Sequence, residues 1–155
     1  MLHAVILGTH VAAGNAGLVA GPIAMLARKE RGWHTRAGLI YQAAIALLAA
    51  SALGLVAFAP ARLWGFALIA AATELTALAG WRARRRHRPG WVAPHVGLMA
   101  GSYVSLVTAL MVVNWHNVLA WILPTVIGTP LIARAAARAA ARSDGDLVEV
   151  SNHPG

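Results

Sequence analysis

Five apolar runs of about 20 residues, each long enough for a helix to cross a hydrocarbon core of about 30 Å, recur along this chain. They cover residues 2–27, 37–58, 63–81, 91–115 and 118–133, and each is ended by charge, Pro, Gly or Trp. The connections, 28–36, 59–62, 82–90 and 116–117, are short, which makes sequential helices antiparallel neighbours. The sequence therefore predicts an all-α fold, a polytopic transmembrane helical bundle of five spans over residues 1–142. A flexible acidic and polar tail is expected over 143–155, where no apolar period is long enough to pack. The first ten residues, MLHAVILGTH, lack the basic start of a secretory signal, so they are read as the beginning of the first helix.

Charge decides the threading. Only 12% of residues are charged and 59% are hydrophobic, against about 25% charged in soluble domains. A net charge of +8 would suit a nucleic-acid binder if the basic residues formed one stripe interleaved with stacking groups. Instead they fall in separate clusters, so no nucleic acid is expected as a partner. The first connection carries Arg28, Lys29, Arg31 and Arg36, the second Arg62, the third Arg82, Arg84, Arg85, Arg86 and Arg88. The fourth has none, and the C-terminal extension has Arg134, Arg138 and Arg142. Alternate threading puts all of these except Arg62 on one side, which the positive-inside rule assigns to the cytoplasm, with the N-terminus outside and the C-terminus inside. Trp33, Trp81 and Trp91 then mark the inner interface and Trp64, Trp115 and Trp121 the outer one, where indole rings prefer to sit. The arginines of residues 82–88 and 134–142 read as lipid anchors, each worth on the order of 1 kcal/mol beside anionic headgroups. The lipid bilayer is the first partner expected; other membrane subunits or further copies of the chain are the second.

Helices in lipid associate by close backbone approach and interhelical hydrogen bonds. His10, Gly14, Gly17 and Gly21 recur on one face of the first span, and Gly97, Gly101, Ser105 and Thr108 on one face of the fourth. Both stripes are predicted to lie inside the bundle. Two readings of the first are open: the glycines permit tight packing, or they clear room for a flat cofactor beside His10.

Ionisable groups within a bilayer are costly unless paired, so His10 and Glu74 are functional candidates. Counted from the outer ends of their helices, His10 lies about 12 Å deep, Glu74 about 16 Å and Tyr103 about 18 Å. These depths predict one polar cluster of His10, Glu74 and Tyr103, serving either proton or small-solute handling or merely helix register. A second constellation lies near the basic face: His34, His95 and, one turn after His95, Met99. Imidazole and thioether are ligands for haem iron, so these residues offer a b-type haem or metal site for electron transfer. A purely structural accessory subunit is the third reading. No nucleotide, nucleophile-elbow or zinc-protease motif is present, and no catalytic residue is assigned. With no cysteine, thiolate ligands and disulfides are excluded.

Residues 10–42 (HVAAGNAGLVAGPIAMLARKERGWHTRAGLIYQ) and 95–114 (HVGLMAGSYVSLVTALMVVN), followed by PTVIGTPLIAR at 124–134, resemble a family of predicted multi-pass bacterial membrane proteins. The matching positions are His10, Gly14, Gly21, Lys29, Gly32, His34, Gly38, Tyr41, His95, Gly101, Ser102, Tyr103 and Asn114. The resemblance implies a helical bundle in a bacterial plasma membrane and imports no activity. Glu74 lies outside its pattern.

Overall fold

The computed structural model describes residues 1–29 and 32–152, with side chains up to Ser143. Five helices follow one another: α1 (Leu2–Leu26), α2 (Trp33–Val56), α3 (Pro60–Arg86), α4 (Val92–Trp115) and α5 (Val118–Asn152). All five are long and apolar enough to cross a membrane. The predicted spans hold, while four boundaries move outward beyond the apolar runs. Helix α3 begins on Pro60, whose fixed φ suits a first turn, and runs through Arg86 because arginine is a good helix former. Most of the expected arginine loop is therefore helical, and the actual turn is confined to 87–91. Helix α2 likewise starts at Trp33, ahead of the apolar run. Helix α5 continues past Ala133 along its alanine and arginine repeat to Asn152, so helix enters the stretch expected as a loose tail. Residues 153–155 of that tail lie outside the described residues.

Two ends are capped by histidine. His87 (φ 41°) closes α3 and His116 (φ 49°) closes α4, both left-handed, a conformation in which His is enriched among non-glycine residues. Gly90 (φ 73°) then completes the α3–α4 turn.

Packing divides the molecule unevenly. Helix α1 lies on α2 and α4, α2 on α3, and α3 on α4, giving a closed ring of four; among the described residues α5 rests on α4 alone. The core of the ring is Ala20, Tyr41, Ile45, Ala77 and Leu106, with Leu18, Leu48, Met99 and Tyr103 around it. Among the described residues, nine of the thirteen buried apolar positions are alanine, so the helices pack by backbone approach more than by interleaved bulk.

Gly14, Gly17 and Gly21 of α1 lie against side chains of α2 and α4. A Cβ on Gly17 would meet Leu106 of α4 at 3.1 Å and Ile45 of α2 at 3.5 Å, and one on Gly21 would meet the Tyr103 ring at 2.5 Å. Gly14 faces Leu48 of α2 at 3.3 Å. The second stripe does not behave as expected. A Cβ on Gly97 or Gly101 would have nothing within 4 Å. Helix α4 presents Tyr103 and Leu106 to α1, and Tyr103 is about 200° around the helix from Gly101 at 3.6 residues per turn. Large side chains thus enter glycine notches; the two smooth faces never meet. On α5, Gly128 gives Val104 the same kind of notch, at 2.5 Å.

Candidate functional site

Every span of the ring carries polar side chains; several, such as Thr9, Thr73 and Thr108, bond back to their own helix, and others bridge two helices. His10 of α1 stands 3.0 Å from Ser51 of α2. Because the Ser51 hydroxyl donates to the Leu48 carbonyl (2.9 Å), His10 Nδ1–H is the donor. Gln42 of α2 donates from Nε2 to Glu74 Oε1 of α3 at 2.9 Å. Tyr41 of α2 and Ser102 of α4 meet at 2.8 Å, and Ser102 gives its only hydroxyl proton to the Met99 carbonyl at 2.8 Å, so Tyr41 is the donor between them. Tyr103 of α4 donates to the Leu18 carbonyl of α1 at 3.2 Å. That last bond has a covalent cause. Pro22 has no N–H to return to Leu18, four residues earlier, and the missing donor is replaced by the tyrosine that Gly21 admits.

The expected cluster of His10, Glu74 and Tyr103 is therefore divided among three separate contacts. Two reasons divide it: among the described residues α1 does not pack on α3, which separates His10 from Glu74, and Tyr103 meets α1 at Leu18 and Gly21, about two to three helical turns away from His10. What replaces the cluster is a set of interhelical ties, two of whose members, Gln42 and Ser51, were not singled out from sequence. Gln42 was legible as a polar residue about 8 Å into the apolar run that begins at residue 37. One tie is incomplete. Gln42 Oε1 and Glu74 Oε2 are both buried without a partner among the described residues. Both are acceptors when Glu74 is ionised; a proton on Glu74 would supply a donor to the pair.

At the basic end, by contrast, the structure brings residues together. His34, in the first turn of α2, and His95, in the first turn of α4, have ring centroids 6.4 Å apart with planes at 82°. His34 Nδ1–H donates to the Ala24 carbonyl of α1 at 2.8 Å, and His95 Nδ1–H to the Gly80 carbonyl of α3 at 2.8 Å. A carbonyl only accepts, so in the neutral imidazoles both Nε2 atoms carry the free lone pair. Neither Nε2 is held by a hydrogen bond among the described residues. Arg84 donates to Thr35 Oγ1 at 3.1 Å, which fixes its guanidinium beside the pair. Lys29 caps α1 by donating to Ala24 and Met25 carbonyls at 3.2 and 2.6 Å, and both cations are within electrostatic reach of His34 and His95. Burial holds the Lys29 ammonium's pKa below its ordinary value. The rings continue outward: His95 lies 5.7 Å from Trp91, which lies 5.2 Å from exposed His87. Met99, the third candidate ligand, instead packs its side chain against Gly80, 3.0 Å from where a Cβ would sit.

These contacts also put the first and third connections at the same end of the bundle, as the threading requires. Residues 7–141 match the family described as Predicted membrane protein (DUF2306). The chain belongs to that family. The match reaches from the first turns of α1 into α5, so all five spans are included. No curated protein and no solved structure matches the chain. This DUF2306 member is a multi-pass membrane protein embedded in a lipid bilayer.

Proposed function

We propose that this DUF2306 protein is a bacterial plasma-membrane electron carrier that holds a b-type haem between His34 and His95 at its cytoplasmic, arginine-rich end. One observation carries the reading: two imidazoles from different helices lie side by side, each with Nδ1 tied to a backbone carbonyl and Nε2 free. Donation from the far ring nitrogen to a carbonyl is how ligating histidines are oriented and made more basic. Two imidazoles bound at about 2 Å on opposite sides of one metal ion would have centroids roughly 6 Å apart, close to the separation found. Ligand count favours haem over a bare ion. Zinc takes three or four protein ligands, and no group of three or more His, Cys, Asp or Glu suited to a metal occurs among the described residues. Haem asks the protein only for axial ligands. Its carboxylates would find Arg84 and Lys29 beside the histidines, whereas the same cations would repel a free metal ion. Gly38, one turn along α2 on the His34 face, leaves open space where a side chain would project. The cytoplasmic orientation rests on the charge count of the connections.

The test is the absorption spectrum and iron content of the full-length protein purified from haem-sufficient cells. A Soret band with about one iron per chain is expected for the wild type and for His10→Ala, and none for His34→Ala or His95→Ala. A colourless, iron-free wild type would end the reading.

The unpartnered oxygens of Gln42 and Glu74 favour a second reading, proton handling at Glu74. It requires a carboxylic-acid carbonyl band in the infrared spectrum that disappears in Glu74→Gln; an ionised carboxylate across neutral pH contradicts it.

A further inference from the structure

The five arginines of residues 82–88 look equivalent in sequence and are not equivalent in space. Arg84 is turned inward onto Thr35, and Arg85 lies over the Trp81 ring, 4.5 Å from its centroid. Arg82, Arg86 and Arg88 instead line a groove of about 430 Å³ between the end of α3 and the start of α4. No ion pair neutralises these three among the described residues. From its basic rim the groove runs down α3 along Leu78, Ala79 and Leu75, the last of these 66% exposed toward the hydrocarbon region. Leu75, Leu78, Arg82 and Arg86 follow one another at spacings of three and four, so one stripe of the helix is greasy at depth and cationic at the surface. The left-handed His87 and Gly90 turn the chain back sharply, which sets Arg88 and Trp91 on the opposite wall.

From this juxtaposition we infer that the groove is a binding site for one anionic phospholipid, its phosphate held by Arg82, Arg86 and Arg88 and an acyl chain laid along Leu75 and Leu78. The volume lies within the range of small-ligand sites. Guanidinium forks match phosphate oxygens, and the apolar wall gives the ligand a tail as well as a head. A free phosphate would use only the rim. The site is separate from the His34–His95 pair and stands whether or not that pair holds haem.

Native mass spectrometry of the delipidated full-length protein, titrated with phosphatidylglycerol or with phosphatidylcholine, tests this. One phosphatidylglycerol should bind about tenfold or more tightly than phosphatidylcholine. Arg82→Gln/Arg86→Gln/Arg88→Gln should abolish the preference, while the charge-matched Arg134→Gln/Arg138→Gln/Arg142→Gln should keep it. Leu78→Trp fills the apolar wall at unchanged charge and should also weaken phosphatidylglycerol binding, so the proposal does not hang on the triple variant folding. Equal losses in both triple variants would reduce the effect to net charge and overturn the site. Wild-type binding by Leu78→Trp together with full competition by inorganic phosphate would overturn the lipid as its occupant.

Discussion

Two sets of polar residues share this membrane bundle and are held in different ways. At mid-depth, His10, Glu74 and Tyr103 are each taken by a different neighbour, and each contact ties one helix to the next. At the basic end, the His34 and His95 rings lie edge to face with centroids 6.4 Å apart, each Nδ1–H spent on a backbone carbonyl and each Nε2 without a hydrogen bond among the described residues. The first arrangement uses side chains to fix helices. The second uses helices to fix side chains, which is how a binding site is prepared.

The contrast can be broken at several points. The largest effect is expected at the imidazoles: His34→Ala or His95→Ala should weaken haem binding by more than the roughly 10–100-fold typical of an outer-shell change, with His10→Ala leaving a haem titration unchanged. Next comes the notch beneath Tyr103. Gly21→Ala forces a Cβ to 2.5 Å from that ring and should cost about 1–3 kcal/mol in reversible unfolding in detergent micelles. Ser102→Ala strands the Tyr41 hydroxyl and should cost about 1–3 kcal/mol, most of it recovered when Tyr41→Phe is added. The smallest change is expected for Glu74→Gln, under about 1 kcal/mol, because an amide preserves the pairing with Gln42. A Glu74→Gln protein that fails to fold would show that the charged carboxylate, and not the hydrogen bond, holds α2 to α3.

Much of the fold was legible because lipid leaves few choices. Hydropathy marked five spans, and their alternation put the connections at 28–36 and 82–90 at one end, where the Arg84–Thr35 bond and the His34–His95 contact lie. The glycine face of α1 was legible too, since His10, Gly14, Gly17 and Gly21 repeat at helical spacing. Lateral arrangement was not. Depth along each helix says nothing of which helices are neighbours, so Glu74 and His10 were placed together although α2 lies between them. Rotation was equally hidden. Gly101 and Tyr103 are two residues apart, and only packing decides which of them meets α1. Pro22 gave a clue that could have been used, because a freed carbonyl within a membrane needs a donor, and Tyr103 is that donor.

Helix α5 sharpens the same point. It carries Pro124 and Pro130, yet no side-chain hydrogen bond ties it to the ring among the described residues; its hold on α4 is apolar packing at Gly128 and Ala120. Composition alone ranks it with the other spans, while its neighbours set it apart.

The most direct test of the paired histidines is electron paramagnetic resonance of the purified ferric protein. Two imidazole ligands predict a low-spin ferric signal that is lost together with the haem when either His34 or His95 becomes alanine and that persists in His10→Ala. A high-spin wild type, or a low-spin signal surviving in both His34→Ala and His95→Ala, would contradict the account.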